Sequence, residues 1–258
     1  MSEAAVLLEM AGHVAVVTLN RPQVRNAVDG ELASLLDETT ARLEADASVR
    51  AVVLAASGEA AFCAGADLKA VAAGQGAGLW TERGGFAGFT SFARTKPWIA
   101  AVDGAALGGG FEITLACDLI VASDNATFGL PEVTRGLVAA AGGLVRLPQL
   151  LPRNVALGLI LTGESADAQT LKAHGLVHTV CGKGEALGAA IALAGKIALN
   201  APVAVRESLV LARAAATLDS AQGYAASLAA RDRIRATRDF QEGARAFVEK
   251  RRPDWCGA

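Results

Sequence analysis

Ala100-Ala-Val-Asp-Gly-Ala-Ala-Leu-Gly-Gly-Gly-Phe-Glu112 passes from an apolar run through a turn and three glycines to a carboxylate set between Phe111 and Ile113. The pattern predicts a strand, a close turn and a helix with Glu112 in its first turn. Glycines expose backbone N–H groups without side chains, and a helix N-terminus adds a partial positive charge. An anionic oxygen is therefore favoured near Gly109, although three glycines also serve a turn that only packs tightly. Glu112 separates the two readings, because a carboxylate among apolar neighbours is costly to bury and its raised pKa suits proton transfer. A second piece, Phe128-Gly-Leu-Pro-Glu132, follows. Proline restricts the backbone just before Glu132, which places that carboxylate in a turn rather than on a swinging helix. By itself, a glutamate after proline reads equally as a structural or solvated group.

Outside these pieces the chain alternates strand and helix. His13–Leu19 is rich in β-branched residues and reads as a strand after a short one at Val6–Glu9. Asp29 is a candidate N-cap for a helix to Ala45, with Leu32, Leu35, Leu36, Thr39 and Leu43 at helical spacing. Val49–Ala55 reads as another strand, and Asp67 falls in the first turn of a short helix opened by small residues. Residues 70–92 are glycine-dense and carry Trp80, Phe86, Phe89 and Phe92, which suggests a mobile lobe with an apolar wall, either a lid or a packed connector. Cys117–Ser123 returns as a strand, Leu144–Leu151 as a helix and Leu176–Cys181 as a further strand. From about residue 200 only helices are expected: Val203–Ala215, Ser220–Arg235 and Asp239–Lys250.

Six segments together resemble the crotonase superfamily, and within it the enoyl-CoA hydratase/isomerase family. They are Asn20–Ala27, Ala61–Lys69, Lys96–Glu112, Phe128–Glu132, Ala141–Leu147 and Phe247–Arg251, in order and in register over nearly the whole chain. The resemblance implies an α/β spiral of ββα repeats over 1–196, although no repeat is visible in the sequence, and a C-terminal helical trimerisation region over 197–258. It implies an enoyl-CoA hydratase that adds water reversibly, in the syn sense, to a trans-2-enoyl-CoA. Related chemistries are a carnitinyl-CoA-type dehydratase or an enoyl-CoA isomerase, and the non-enzyme alternative is an RNA-binding or scaffold relative.

On the same footing, the backbone N–H groups of Ala66 and Gly109 form an oxyanion hole, Glu112 activates water and Glu132 protonates the α carbon. Arg25, Ala64, Asp67, Leu68, Lys69 and Lys250 are implied to hold coenzyme A, and Ala140 to help place the water. The resemblance implies homotrimers or hexamers built as dimers of trimers. Coenzyme A is part of the substrate, and no separate cofactor is expected. Two departures stand out: Ala139-Ala140 replaces the usual Pro-Gly, and Arg231 occupies a place where relatives carry an aromatic near the ligand's adenine.

Composition agrees with one sizeable globular domain, or one plus a small appendage: 258 residues, 52% hydrophobic, net charge −2. That charge offers no general attraction to nucleic acid or to a membrane surface. Without a long uncharged apolar run or a basic leader before one, a cytoplasmic protein is expected. The basic residues of the last helices, Arg231 to Arg252, read as a solvated face with acids interspersed. Cys63, Cys117, Cys181 and Cys256 are far apart and are expected as reduced, buried thiols. His174 and His178 stand four apart, but Gly175 breaks the helix a metal face would need, so no metal is expected. No G-x-S-x-G elbow, Walker motif or H-E-x-x-H occurs.

Overall fold

The structure, a computed structural model, describes residues 4–258. A hairpin of β1 (Val6–Ala11) and β2 (Val14–Leu19) leads to α1 (Gly30–Ala45), whose N-cap Asp29 accepts the Leu32 amide. Three units then repeat one pattern, in which a long strand, a short strand and a helix follow each other. The first is β3 (Ala51–Ala56), β4 (Ala61–Cys63) and α2 (Leu68–Ala72). A small lobe with hairpin β5 (Trp80–Thr81) and β6 (Gly85–Phe86) precedes the second unit, β7 (Trp98–Val102), β8 (Ala105–Leu107) and α3 (Gly109–Ala116). The third is β9 (Leu119–Ser123), β10 (Thr127–Gly129), a 3-10 turn at Pro131–Arg135 and α4 (Gly143–Leu150). After α5 (Arg153–Thr162) come β11 (Ser165–Asp167), α6 (Ala168–Ala173) and β12 (Thr179–Cys181).

The long strands form a six-stranded sheet in the order β1-β2-β3-β7-β9-β12, parallel from β2 onward, and the short ones a second sheet in the order β11-β10-β8-β4. These stacked ββα turns are the spiral that the family resemblance implies. β3 and β7 are almost continuously apolar because both faces of the parallel sheet are covered. One face meets α7 (Ala186–Ala198), where Ala186, Ala190, Ala194 and Ala198 form a buried stripe at i, i+4 spacing against Val14, Val53, Ile99 and Val121. The other face packs on the larger core around Leu32, Leu36, Phe62, Trp98 and Phe111.

Beyond α7 lie α8 (Pro202–Ala214), α9 (Ser220–Arg235) and α10 (Arg238–Glu249), and neither α8 nor α9 contains a fully buried residue. The C-terminal tail folds back to the core: Arg50 donates to the carbonyls of Ala198 and Trp255, and the Trp255 indole donates to Leu199. Among the described residues no single helix is long and apolar enough to cross a membrane.

Most predicted elements lie within a few residues of their expected places, and three readings change. The strand expected from Leu176 is confined to Thr179–Cys181, because Gly175 and the buried Leu176 and Val177 turn the chain under the sheet first. In the lobe of residues 70–92, Gly84 and Gly88 serve close approach, whereas a β-carbon at Gly74 would meet nothing within 4 Å. A β-carbon at Gly84 would lie 2.0 Å from the Gly88 carbonyl oxygen, and one at Gly88 would lie 2.2 Å from that of Ala33. Leu79, Phe86 and Phe89 are buried there, and Thr81 and Arg83 bond Asp37 of α1. All four cysteines are free, but only Cys63 is fully buried and Cys256 is exposed, since it lies on the returning tail.

Candidate active site

The turn between β8 and α3 is shaped by its three glycines for three different reasons. Gly108 has φ 56° and ψ −126°, a conformation open to glycine. A β-carbon at Gly109 would lie 2.4 Å from the Phe86 ring, and one at Gly110 would lie 2.0 Å from the Cys63 carbonyl oxygen. The helix start is thereby pressed against the loop that follows β4. Gly65, at φ 88°, sits so near that its β-carbon would lie 3.0 Å from the Gly109 nitrogen.

Ala66 is held by hydrogen bonds on either side, from the Val28 amide to the Gly65 carbonyl and from the Asp67 amide to the Val28 carbonyl. Among the described residues, neither the Ala66 nor the Gly109 amide donates to a protein acceptor, and both residues line one cleft. The pairing of these two amides, separated by forty-odd residues, is a product of the stacked ββα turns.

A clamp with little signal in the sequence secures the Ala66 loop. The Arg21 guanidinium lies 2.7 Å from Asp29 and 3.4 Å from Asp67, the N-caps of α1 and α2, and also donates to the Ala27 carbonyl. Asn26, fully buried, accepts from the Arg21 amide and donates to Ser57 and Ala61. Asn20-Arg-Pro-Gln-Val-Arg-Asn is thus a brace for the loop, a task that the family resemblance of Asn20–Ala27 did not itself assign.

Glu112 is 3% exposed, in the first turn of α3, and its Oε1 accepts the Gly143 amide at 2.8 Å. Burial pushes its pKa up to about 7, with the Gly143 amide pulling it down and the charge of Glu132 pushing it further up. Glu132 stands on the 3-10 turn between Pro131 and a left-handed Gly136, with φ 68°. Its carboxyl faces the Gly108 backbone, and its Oε2 is buried with no hydrogen-bond partner among the described residues. Burial raises its pKa too, opposed by its own backbone amide and by Arg135. Two carboxyls that favour the protonated form therefore border the same cleft.

The cleft, of about 330 Å³, is walled by Leu68, Val71, Leu79, Trp80, Phe86, Leu137 and Val138, with Ala64, Ala140 and Ala141 completing the lining. Trp80 and Phe86 meet edge to face at 5.5 Å. The lobe aromatics are thus divided: Trp80 and Phe86 face the cleft, whereas Phe89 packs on Trp98 in the core. Leu137, Val138 and Arg135, also on the lining, had no distinguishing signal in the sequence.

The structure brings together Ala64, Ala66, Leu68, Gly109, Glu112, Glu132 and Ala140 from the expected site. Arg25 and Lys69 are exposed near its mouth, the Arg25 carbonyl accepting the Ala64 amide. The Asp67 carboxylate is turned away to the Lys69 amide and Arg21, so its side chain serves the fold. Lys250 caps α10 in the left-handed region and does not line the cleft of its own chain. Cys63, beneath the loop, has its thiol pushed up to about 12 by burial and offers no nucleophile.

Residues 9–258 match the profile of the enoyl-CoA hydratase/isomerase family. The carnitinyl-CoA dehydratase of Proteus mirabilis (strain HI4320) is 39% identical over 255 residues, covering 97% of either chain. Among solved structures, an enoyl-CoA hydratase from Mycobacterium tuberculosis H37Rv aligns with a TM-score of 0.95 at 41% identity, covering 99% of this chain and 100% of that one. A carnitinyl-CoA hydratase from Mycobacterium avium aligns with a TM-score of 0.78 at 41% identity over 100% of both chains. With its stacked ββα turns and full-length match, the chain belongs to the enoyl-CoA hydratase/isomerase family of the crotonase superfamily.

Proposed function

We propose that this protein catalyses the reversible syn addition of water to a trans-2-enoyl-CoA thioester. The observation that carries the reading is the pair of pKa-raised carboxyls, the buried Glu112 and the half-buried Glu132, on one cleft with two unengaged backbone amides. The Ala66 and Gly109 amides receive the thioester oxygen and hold the enolate charge as it develops; donors of this kind contribute about 3 kcal/mol each. Glu112 is near half-ionised at neutral pH. Fixed through Oε1 by Gly143, it takes a proton from water as the water oxygen bonds to the β carbon. The electron pair of the double bond moves to the thioester oxygen, and on its return the α carbon takes the proton of Glu132. Ala140 lines the cleft beside Glu112 and is suited to place the water through its backbone.

Coenzyme A enters as part of the substrate, with Arg25 and Lys69 at the mouth as cations for its phosphates. Lys250 meets the ligand of a neighbouring subunit in this proposal, with 197–258 serving as the assembly region of a trimer or hexamer. The spare burial of α8 and α9, and the exposure of Phe240, Phe247 and Val248 on α10, support that role.

The relatives named for carnitinyl-CoA raise a second reading, in which the substrate carries a trimethylammonium group. Among the described residues the lining has no acid apart from Glu112 and Glu132 to pair with such a cation, and it holds a cation of its own, Arg135. An acyl group without positive charge fits this wall better. The test is turnover of crotonyl-CoA, decenoyl-CoA and the 2-enoyl thioester that dehydration of carnitinyl-CoA yields, in water enriched in heavy oxygen. Label at the β carbon that disappears in Glu112→Gln is the expected result. Double-bond migration without label makes the enzyme an isomerase, and preference for the thioester derived from carnitinyl-CoA sinks the choice of substrate.

A further inference from the structure

Among the described residues Arg135 is the one cation on the cleft lining, and the hydration chemistry gives it no task. It lies three residues after Glu132 on the same 3-10 turn. A 3-10 helix has three residues per turn, so side chains at i and i+3 are eclipsed and Arg135 stands on the same face as Glu132, about 6 Å farther along the axis. Pro131 at the start and left-handed Gly136 at the end pin the turn. Arg135 nonetheless forms no ion pair among the described residues, while Oε2 of Glu132 is buried without a partner. The neighbouring lining, Leu137 and Val138 next in sequence and Leu68 and Val71 from α2, is apolar. An unpaired guanidinium bordering a largely apolar cleft, one short turn from the proton donor, matches an anion carried by the substrate a few carbons beyond the reacting bond.

We infer that Arg135 selects acyl-CoA thioesters whose short acyl chain ends in a carboxylate, a 2-enedioyl-CoA rather than a simple 2-enoyl-CoA. A planar guanidinium pairs with a carboxylate through two parallel hydrogen bonds, and Arg135, exposed on its turn, is free to reach one. A carboxylate on coenzyme A's side of the thioester is absent, so the choice lies between the acyl carboxylate and the coenzyme A phosphates, which the experiment separates.

The inference rests on the enoyl-thioester reading, and binding of unreactive saturated analogues tests it apart from turnover. Affinities of glutaryl-CoA, butyryl-CoA and free coenzyme A are measured by calorimetry for the wild type, Arg135→Leu and Arg135→Lys. The wild type should bind glutaryl-CoA at least tenfold more tightly than butyryl-CoA. Arg135→Leu should erase that ratio and Arg135→Lys restore part of it. In turnover, the kcat/KM ratio of glutaconyl-CoA to crotonyl-CoA should fall at least tenfold in Arg135→Leu.

A wild-type ratio at or below one, or a ratio unchanged in Arg135→Leu, overturns the inference. Equal weakening of all three ligands assigns Arg135 to the coenzyme A phosphates and overturns it as well. A shift of the pH profile with both thioesters equally affected reduces Arg135 to tuning Glu132 and likewise overturns its role in selection. Binding preference without hydration of either thioester leaves the substrate class standing and removes the hydration chemistry, and failure to bind any thioester removes both.

Discussion

At the scale of single residues, Glu112 ties activity to stability. Its folded pKa of about 7 lies above the ordinary carboxyl value, so between roughly pH 4.5 and 7 the folded protein holds a proton that the unfolded chain has lost. The protonated form is the one the fold favours. Its contribution is fully present below the unfolded pKa and is lost as pH rises through 7, costing of order 3 kcal/mol above that point. Glu112→Gln keeps an oxygen for the Gly143 amide and removes the titration. It should therefore melt higher than the wild type at pH 8 and show little difference at pH 4.5, as followed by calorimetry. The same variant should lose about 100-fold or more in kcat while still binding thioester. Glu132→Gln should show a like loss of kcat, and a Glu132→Gln enzyme with wild-type turnover would remove it as the proton donor.

At the scale of elements, the site depends on how closely β8, α3 and the β4 loop approach one another. Gly109→Ala retains the N–H but drives a methyl group to within 2.4 Å of the Phe86 ring. Turnover should fall at least tenfold, and Gly109→Ala/Phe86→Leu should recover a good part of it, because the smaller side chain yields the space. No recovery in the double variant would mean that the ring is not the obstacle. Asp67→Ala removes the N-cap of α2 and one partner of Arg21. A loss of about 1–2 kcal/mol in urea unfolding is expected from the cap and the part-buried pair. If Arg21 and Asp67 hold the Ala66 amide in place, kcat should drop more than KM rises, whereas stability loss with unchanged kcat would make the clamp structural alone. These contacts explain why the elements were easier to read than the site. Asp29 capping α1 and the apolar runs of β3 and β7 are local signals, whereas the Arg21 clamp joins two caps through space.

At the scale of the whole molecule, the C-terminal helices are bound to the core through few points. Arg50 holds the Ala198 and Trp255 carbonyls and Arg213 of α8 pairs with Asp118, while within the C-terminal region Asp239 accepts the amides of Cys256 and Gly257. Truncation after Arg238 removes Asp239, Trp255 and the exposed Phe240, Phe247 and Val248 together. Light scattering should then show a smaller assembly, and affinity for free coenzyme A should fall. A truncated protein of unchanged mass and affinity would exclude 239–258 from the assembly region and Lys250 as a contact to the ligand.

Periodicity and turn chemistry in the sequence determined the strands, the helices and the helical C-terminal stretch, because these depend on neighbours a few residues apart. The motifs around Ala66, Gly109, Glu112 and Glu132 marked the family and the residues of the cleft, since spacing along the chain survives without coordinates. Only the tertiary structure decided that Ala66 and Gly109 present their amides to one cleft and that Asp67 faces Arg21. It alone set Trp80 and Phe86, but not Phe89, on the wall, and left Arg135 there without an ion pair among the described residues. The ββα repeats are absent from the sequence pattern because each turn of the spiral buries different side chains. The likeness lies in backbone pairing, β3 to β7 to β9 in one sheet and β4 to β8 to β10 in the other, and pairing across a sheet leaves no periodic trace along the chain.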